Sequence, residues 1–172
     1  SGEVRSYYGD DGAEYNRGLY EIDGRKYYFE YDHVSNNCCV SVDGVDYICR
    51  EDGAMEPVPE NAWITIKQQT YTNTYYTQNG KLLKNCVVQI DNNYYAFSQN
   101  GLMYSDHDGD SKVRMWNDET KKYDCYRVGK DGRLYVNEWY QDSTLTYYYG
   151  EAGKLCTGLQ TINGKQYCFY SS

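Results

Sequence analysis

The chain repeats itself, and the repeat limits what it can fold into. Two short elements recur along its 172 residues. The first is an aromatic run entering a polar turn that ends in glycine: YYGDDGAEY, YICREDGAM, YYTQNGKLL, YAFSQNGLM, YRVGKDGRL and YYGEAGKLC. Its glycines fall at positions 12, 53, 80, 101, 132 and 153, and the steps from Gly80 to Gly101 and from Gly132 to Gly153 are both 21 residues. The other steps are 41, 27 and 31 residues, so the pattern is a unit of about 20 residues with insertions.

The second element is a two-residue turn: EIDGRKYYF, SVDGVDYIC, QIDNNYYAF and TINGKQYCF. Asp-Gly and Asn-Gly supply the positive φ that such a hairpin turn demands. Around the first of them Leu19, Glu21, Arg25 and Tyr27 alternate with Tyr20, Ile22, Lys26 and Tyr28, the two-residue period of a strand. A lone hairpin is marginal in water, so the units must stack. The predicted fold is all-β: tandem short β-hairpin repeats stacked as a solenoid-like array. Residues 1–56 read as degenerate N-terminal hairpin repeats. Residues 57–61 hold the only two prolines, Pro57 and Pro59, and read as a linker or bend. Residues 62–172 read as the main hairpin-repeat array. An irregular stretch, SDHDGDSKVRMWNDETKKYD, interrupts the spacing before the last two units.

Composition agrees with thin layers rather than one large core. Tyrosine supplies 23 residues against 3 Phe and 3 Trp, and the mean hydropathy is -0.88. A tyrosine ring packs while its hydroxyl stays near water. The net charge of -8 argues against nucleic acid or an anionic membrane surface as the main partner, since phosphate binding needs clustered cations. No apolar run approaches the roughly 20 residues of a membrane span, so no membrane insertion is expected. Seven cysteines form no CxxC pair and only two histidines are present, which argues against zinc. Stepping outward from an Asp43-Gly44 turn sets Cys38 opposite Cys49 in a hydrogen-bonded pair, a poor spacing for a disulfide. The sequence leaves two states open there, a cross-strand bond and reduced half-buried thiols.

At these residues the chain resembles the cell-wall-binding repeats of Gram-positive bacteria, a superfamily of choline-binding modules, glucan-binding domains and clostridial-toxin repeats. The stretch WYQDSTLTYYYGEAGKLCTGLQTINGKQYCF (139–169) matches best, followed by YYGDDGAEYNRGLYEIDGRKYYF (7–29) and YYTQNGKLLKNCVVQIDNNYYAF (75–97). The resemblance covers roughly two thirds of the chain. It implies a non-catalytic module of a larger secreted or surface bacterial protein. Choline-binding repeats carry a Trp after the turn-closing Gly and another before Tyr-Tyr-Phe. Here those positions hold Leu19 and Leu159, then Lys26 and Gln166. Since a quaternary ammonium needs an aromatic cage, the Tyr-rich version is similar to the glucan-binding and toxin repeats. The opening Ser1-Gly2-Glu3-Val4 reads as the start of an excised piece of a larger multidomain protein.

Sugar recognition needs a flat ring for the apolar face of a pyranose and polar groups for its hydroxyls. The densest candidate is Trp139, Tyr140, Tyr147, Tyr148 and Tyr149, with Gln141, Asp142 and Lys154 nearby. If 139–149 is a hairpin, Trp139 lies close to Tyr148. Tyr20, Tyr27 and Tyr28 form an analogous set, as do Tyr94 and Tyr95. Adjacent tyrosines on a strand point to opposite faces, so the outward member of each pair is the binding candidate and the other packs. The acidic run Asp106 to Asp110 has alternate carboxylates but lacks the spacing and distant glutamate of an EF-hand, and it reads as a solvated loop. No metal or other cofactor is expected. No Gly-x-Ser-x-Gly, His-Glu-x-x-His or phosphate-loop motif is present, so the chain is not expected to be an enzyme. The expected partner is a polysaccharide or cell-wall glycan, held at shallow aromatic sites between repeats. The alternative is a protein-interaction or spacer module, using exposed strand edges.

Overall fold

The computed structural model describes residues 8–9, 12–31, 33–105 and 111–170. The acidic run Asp106 to Asp110 lies outside them. The described chain is built from short antiparallel strands and one 3-10 turn. Among these residues no helix is long and apolar enough to cross a membrane. The chain divides into two compact units, 1–83 and 84–172, and the segment 57–61 lies inside the first.

In the first unit, β1 (Gly18–Ile22) and β2 (Arg25–Glu30) form a hairpin, followed by β3 (His33–Val34), β4 (Cys38–Val42), β5 (Val45–Cys49), β6 (Ala54–Pro57), β7 (Trp63–Lys67), β8 (Thr72–Gln78) and β9 (Lys81–Leu82). The order in the larger sheet is β1-β2-β6-β5-β4, with β3 also on β2, while β7, β8 and β9 form a three-stranded sheet. The Asp-Gly turns set the registers. Ile22 faces Arg25 and Val42 faces Val45, and Asp23 and Asp43 take the positive φ of 51° and 50°. Pro57 ends β6 opposite Tyr47, where a missing N–H costs little. Phe29, Ile48, Ile64, Tyr75 and Leu82 are buried as the core.

The second unit holds four hairpins: β10 (Cys86–Ile90) with β11 (Asn93–Phe97), β12 (Ser111–Asn117) with β13 (Lys122–Val128), β14 (Glu138–Gln141) with β15 (Thr146–Tyr149), and β16 (Gly158–Ile162) with β17 (Lys165–Phe169). Its core is Ala96, Val113, Met115, Tyr126, Val128 and Leu134. The stretch read as irregular contributes the longest hairpin of the four. Val113 and Met115 alternate with exposed residues on β12, so that strand has one buried face, while β13 buries Tyr126 and Val128 on that side and Arg127 on the other. The turn between them, Asp118–Lys121, contains no glycine, and Lys121 takes the positive φ of 54°.

The glycine-ended element is a stitch. After five of its six occurrences the same turn closes, with the glycine N–H donating three residues back: Gly12 to Gly9, Gly53 to Arg50, Gly101 to Ser98, Gly132 to Gly129 and Gly153 to Gly150. The chain then returns along the hairpin it has just left, as the bridges Phe97–Met103, Val128–Leu134 and Tyr149–Leu155 show. It also reaches the hairpin before that one. Leu134 donates to the Tyr94 carbonyl and Leu155 to the Cys125 carbonyl, both at 2.8 Å. In the first unit β6 does this as a full strand between β5 and β2. The return segments after Gly53, Gly132 and Gly153 are thus each shared by two hairpins, which is how these thin units bury their aromatic faces. The sixth turn differs. Gly80 closes a two-residue hairpin in which Gln78 faces Lys81, and β9 reaches back through Leu82 N–H, which donates to Asp46 Oδ2 at 2.8 Å.

Cys38 does face Cys49 across the β4–β5 pair, yet all seven cysteines are free thiols. The hydrogen bond between the two splits them: it lowers the pKa of Cys38 and raises that of Cys49, which burial raises further.

Candidate functional site

The hairpin β14–β15 carries five of the aromatic residues singled out from the sequence, and the strand period sorts them onto two faces. Trp139 faces Tyr148 directly, and their rings lie 4.9 Å apart. Trp139 is 43% exposed. The following hairpin extends this surface, bringing Tyr167 to 5.0 Å and Phe169 to 5.9 Å from the Trp139 ring. Tyr148, Tyr167 and Phe169 are half-buried, so the indole is the raised part of a continuous aromatic patch.

Tyr140, Tyr147 and Tyr149 turn to the other face. Tyr149 is 1% exposed and belongs to the core. Tyr140 carries the guanidinium of the buried Arg127 at 3.3 Å from its ring centre, a desolvated cation–π contact. Tyr147 lies 6.1 Å from Tyr140 and donates its hydroxyl to Asp142 Oδ2 at 2.9 Å. Asp142 organises the hairpin loop: its Oδ1 accepts the backbone N–H groups of Thr144 and Leu145, both at 2.8 Å. These bonds, with the one from Tyr147, hold its carboxyl well below the usual carboxylate range. Gln141 is exposed at the end of β14. Lys154 is engaged elsewhere, 2.7 Å from Asp124.

The N-terminal set lies in the first unit. Tyr20 packs against Tyr15 at 4.5 Å and Phe29 at 5.6 Å, opposite Tyr27. Tyr28 faces the exposed Leu19, and its hydroxyl accepts from Arg17 Nε at 3.3 Å. At the position where the later hairpin has Trp139 opposite Tyr148, this one offers a leucine. Tyr94 packs on the core of the second unit. Burial raises the pKa of Tyr95.

Sequence reading missed one regularity. Each of the three tryptophans sits directly opposite a tyrosine: Trp63–Tyr76 at 4.9 Å, Trp116–Tyr123 at 5.1 Å, and Trp139–Tyr148 at 4.9 Å. All three indoles are exposed. Tyr167 and Phe169 were also missed, although the TINGKQYCF element that carries them was in view. The signal lay in register, which places aromatics from one hairpin beside those of the next.

This arrangement of stitched hairpins is also found among solved structures of a choline binding protein. The chain is similar to CbpF solved in complex with ipratropium by soaking, over 99% of this chain and 70% of that one, with a TM-score of 0.61 and 18% identity. It is likewise similar to choline binding protein F from Streptococcus pneumoniae, over 99% and 68%, with a TM-score of 0.59 and 16% identity. At such identity the likeness is one of fold. No protein-family model and no curated protein matches the chain.

Proposed function

We propose that the chain is a non-catalytic polysaccharide-binding module of a secreted or surface bacterial protein, and that it holds an α-glucan or wall glycan at the Trp139–Tyr148 patch. The observation that carries this reading is the exposed indole set over Tyr148 and continued by Tyr167 and Phe169 from the next hairpin. A pyranose stacks on such a ring through its C–H face, and Gln141 and the loop beyond it supply hydrogen-bonding groups for its hydroxyls. The patch is shallow, so one site binds weakly and a polymer is retained through several. The fold of choline-binding protein F, whose name records a small cationic ligand, supports a binding module. The positions that would close a choline cage carry Leu19, Leu159, Lys26 and Gln166 here, which favours a sugar.

Affinity electrophoresis through gels containing starch, dextran, mucin or purified wall polysaccharide tests the reading. Retardation by one polymer is expected. Trp139→Ala and Tyr148→Ala should each weaken it roughly tenfold, about 1.4 kcal/mol, with the circular dichroism unchanged. Free migration through every polymer, or full retention by both variants, would reject the site. Elution by choline rather than by oligosaccharide would replace the sugar with a quaternary ammonium.

A further inference from the structure

The hairpin β12–β13 has seven residues on each strand, whereas the neighbouring β14–β15 has four. The shorter hairpin meets one end of the longer one: Lys112 lies over Tyr147 at 5.2 Å, and Arg127 is stacked on Tyr140. Toward the turn, the same face carries Arg114 and Trp116 with Cys125 and Tyr123 opposite them. There Trp116 is 47% exposed and Tyr123 61%. Their rings stand 5.1 Å apart at 71°. The indole is held in place, since Trp116 Nε1 donates to Asp118 Oδ1 at 3.1 Å. The turn beneath it is fixed as well: Asn117 Oδ1 accepts the N–H groups of Glu119 and Thr120, and Asn117 Nδ2 donates to Asp124 at 2.8 Å.

These rings border an open groove of about 670 Å³ whose charge runs against that of the chain. The whole protein carries -8, yet the groove is lined by Arg114, Lys121, Lys122 and Lys154 against one carboxylate, Asp124. Lys154 is neutralised by Asp124 at 2.7 Å, and Lys121 pairs with Asp118 at 3.4 Å. Arg114 and Lys122 have no ion-pair partner among the described residues. Arg114 stands on the face of the aromatic pair, and Lys122, which faces Asn117, borders the same groove from the other side of the hairpin, so the site suits a ring that carries negative charge. The ring stacks, and the acid group takes the charge-assisted hydrogen bonds.

We propose that the Trp116–Tyr123 pair with Arg114 and Lys122 is a second binding site, for a sugar chain that bears carboxylate or phosphate groups. This extends the glycan reading to a different hairpin and a different ligand class, and it stands on its own residues. A neutral glucan can accept hydrogen bonds from Arg114 but has no charge to pair with it.

The test measures retention of the full chain in gels of hyaluronate (carboxylate), phosphomannan (phosphate) and dextran (neutral). Arg114→Gln combined with Lys122→Gln should weaken binding to an anionic polymer tenfold or more and leave dextran retention unchanged, while Trp139→Ala should do the reverse. Trp116→Ala should reproduce the loss on the anionic polymer, and Trp116→Phe should restore part of it, which separates stacking from folding. Whichever anionic polymer is retained identifies the acid group. Anionic retention unchanged in the double variant, or no anionic retention, overturns this proposal alone if dextran still binds through Trp139. Anionic binding that needs Arg114 in a chain indifferent to Trp139 overturns the Trp139 reading alone. Free migration in the hyaluronate and phosphomannan gels removes this proposal, and the Trp139 reading falls with it only if starch, dextran, mucin and wall polysaccharide also fail to retain the chain.

Discussion

Single residues decide whether the aromatic patch is held in shape. Asp142 is the clearest, because one carboxylate closes the loop through the Thr144 and Leu145 N–H groups and fixes the Tyr147 hydroxyl. Its pKa is lowered on folding, so its contribution is present above the ordinary aspartate value of about 3.9 and is lost as the pH falls through and below it. Asp142→Asn should therefore lower the unfolding midpoint at pH 7, and the gap to the wild type should close as the pH is taken from 5 to 2. A gap independent of pH would show that the loop does not depend on the charge. Thiol chemistry provides a second check at this scale. Cys168 is exposed and Cys49 is 1% exposed. The hydrogen bond from Cys49 lowers the pKa of Cys38, whereas burial raises those of Cys86 and Cys156. Brief alkylation read by peptide mass spectrometry should label Cys168 first and Cys38 ahead of Cys86 and Cys156, with Cys49 last. Early labelling of Cys49 would contradict the packing of β4 on β5.

At the scale of the element, the turns that need positive φ were legible because only glycine, asparagine and aspartate take it readily. The Asp43-Gly44 turn even set the Cys38–Cys49 register. The hairpin β12–β13 was not legible, since its turn has no glycine and its strands alternate without the Tyr-Tyr-Phe signature. Nor could spacing show that Gly80 closes a two-residue hairpin while five similar sequences close the stitch. That choice is made by tertiary pairing. The two kinds of turn should respond differently to the same substitution. At Gly24, with φ of 74° and nothing within 4 Å of an added Cβ, alanine carries only the backbone strain, about 1 kcal/mol. At Gly53, with φ of 84°, the added Cβ would sit 2.6 Å from Val34 Cγ2, so Gly53→Ala should cost about 2–4 kcal/mol. Equal losses in chemical denaturation would mean that the stitch does not hold β3 against β6. The candidate site was half legible for the same reason. Trp139 and Tyr148 could be paired from the hairpin alone, whereas Tyr167 and Phe169 come from the next one and depend on stacking.

For the whole molecule the question is how many sites act together. Each unit contains its own core: Ile48, Ile64, Tyr75 and Leu82 in 1–83, and Val113, Met115, Tyr126 and Val128 in 84–172. Buried Asp46 accepts from Leu82 N–H and is hydrogen-bonded to Ser41, residues of the same first unit. A fragment of residues 84–172 should therefore unfold cooperatively and keep the Trp139-dependent retention. The first unit still carries the exposed Trp63 over Tyr76. If that pair binds sugar as the Trp139 patch does, the full chain gains from linked sites and is retained more strongly than the fragment on the same polymer. Trp63→Ala should then bring the full chain down to the fragment's retention. A full chain no better retained than residues 84–172 would assign Trp63 to packing and confine binding to the second unit. A fragment that fails to unfold cooperatively would show that the nearest-neighbour coupling of the array extends across Leu83 and Lys84.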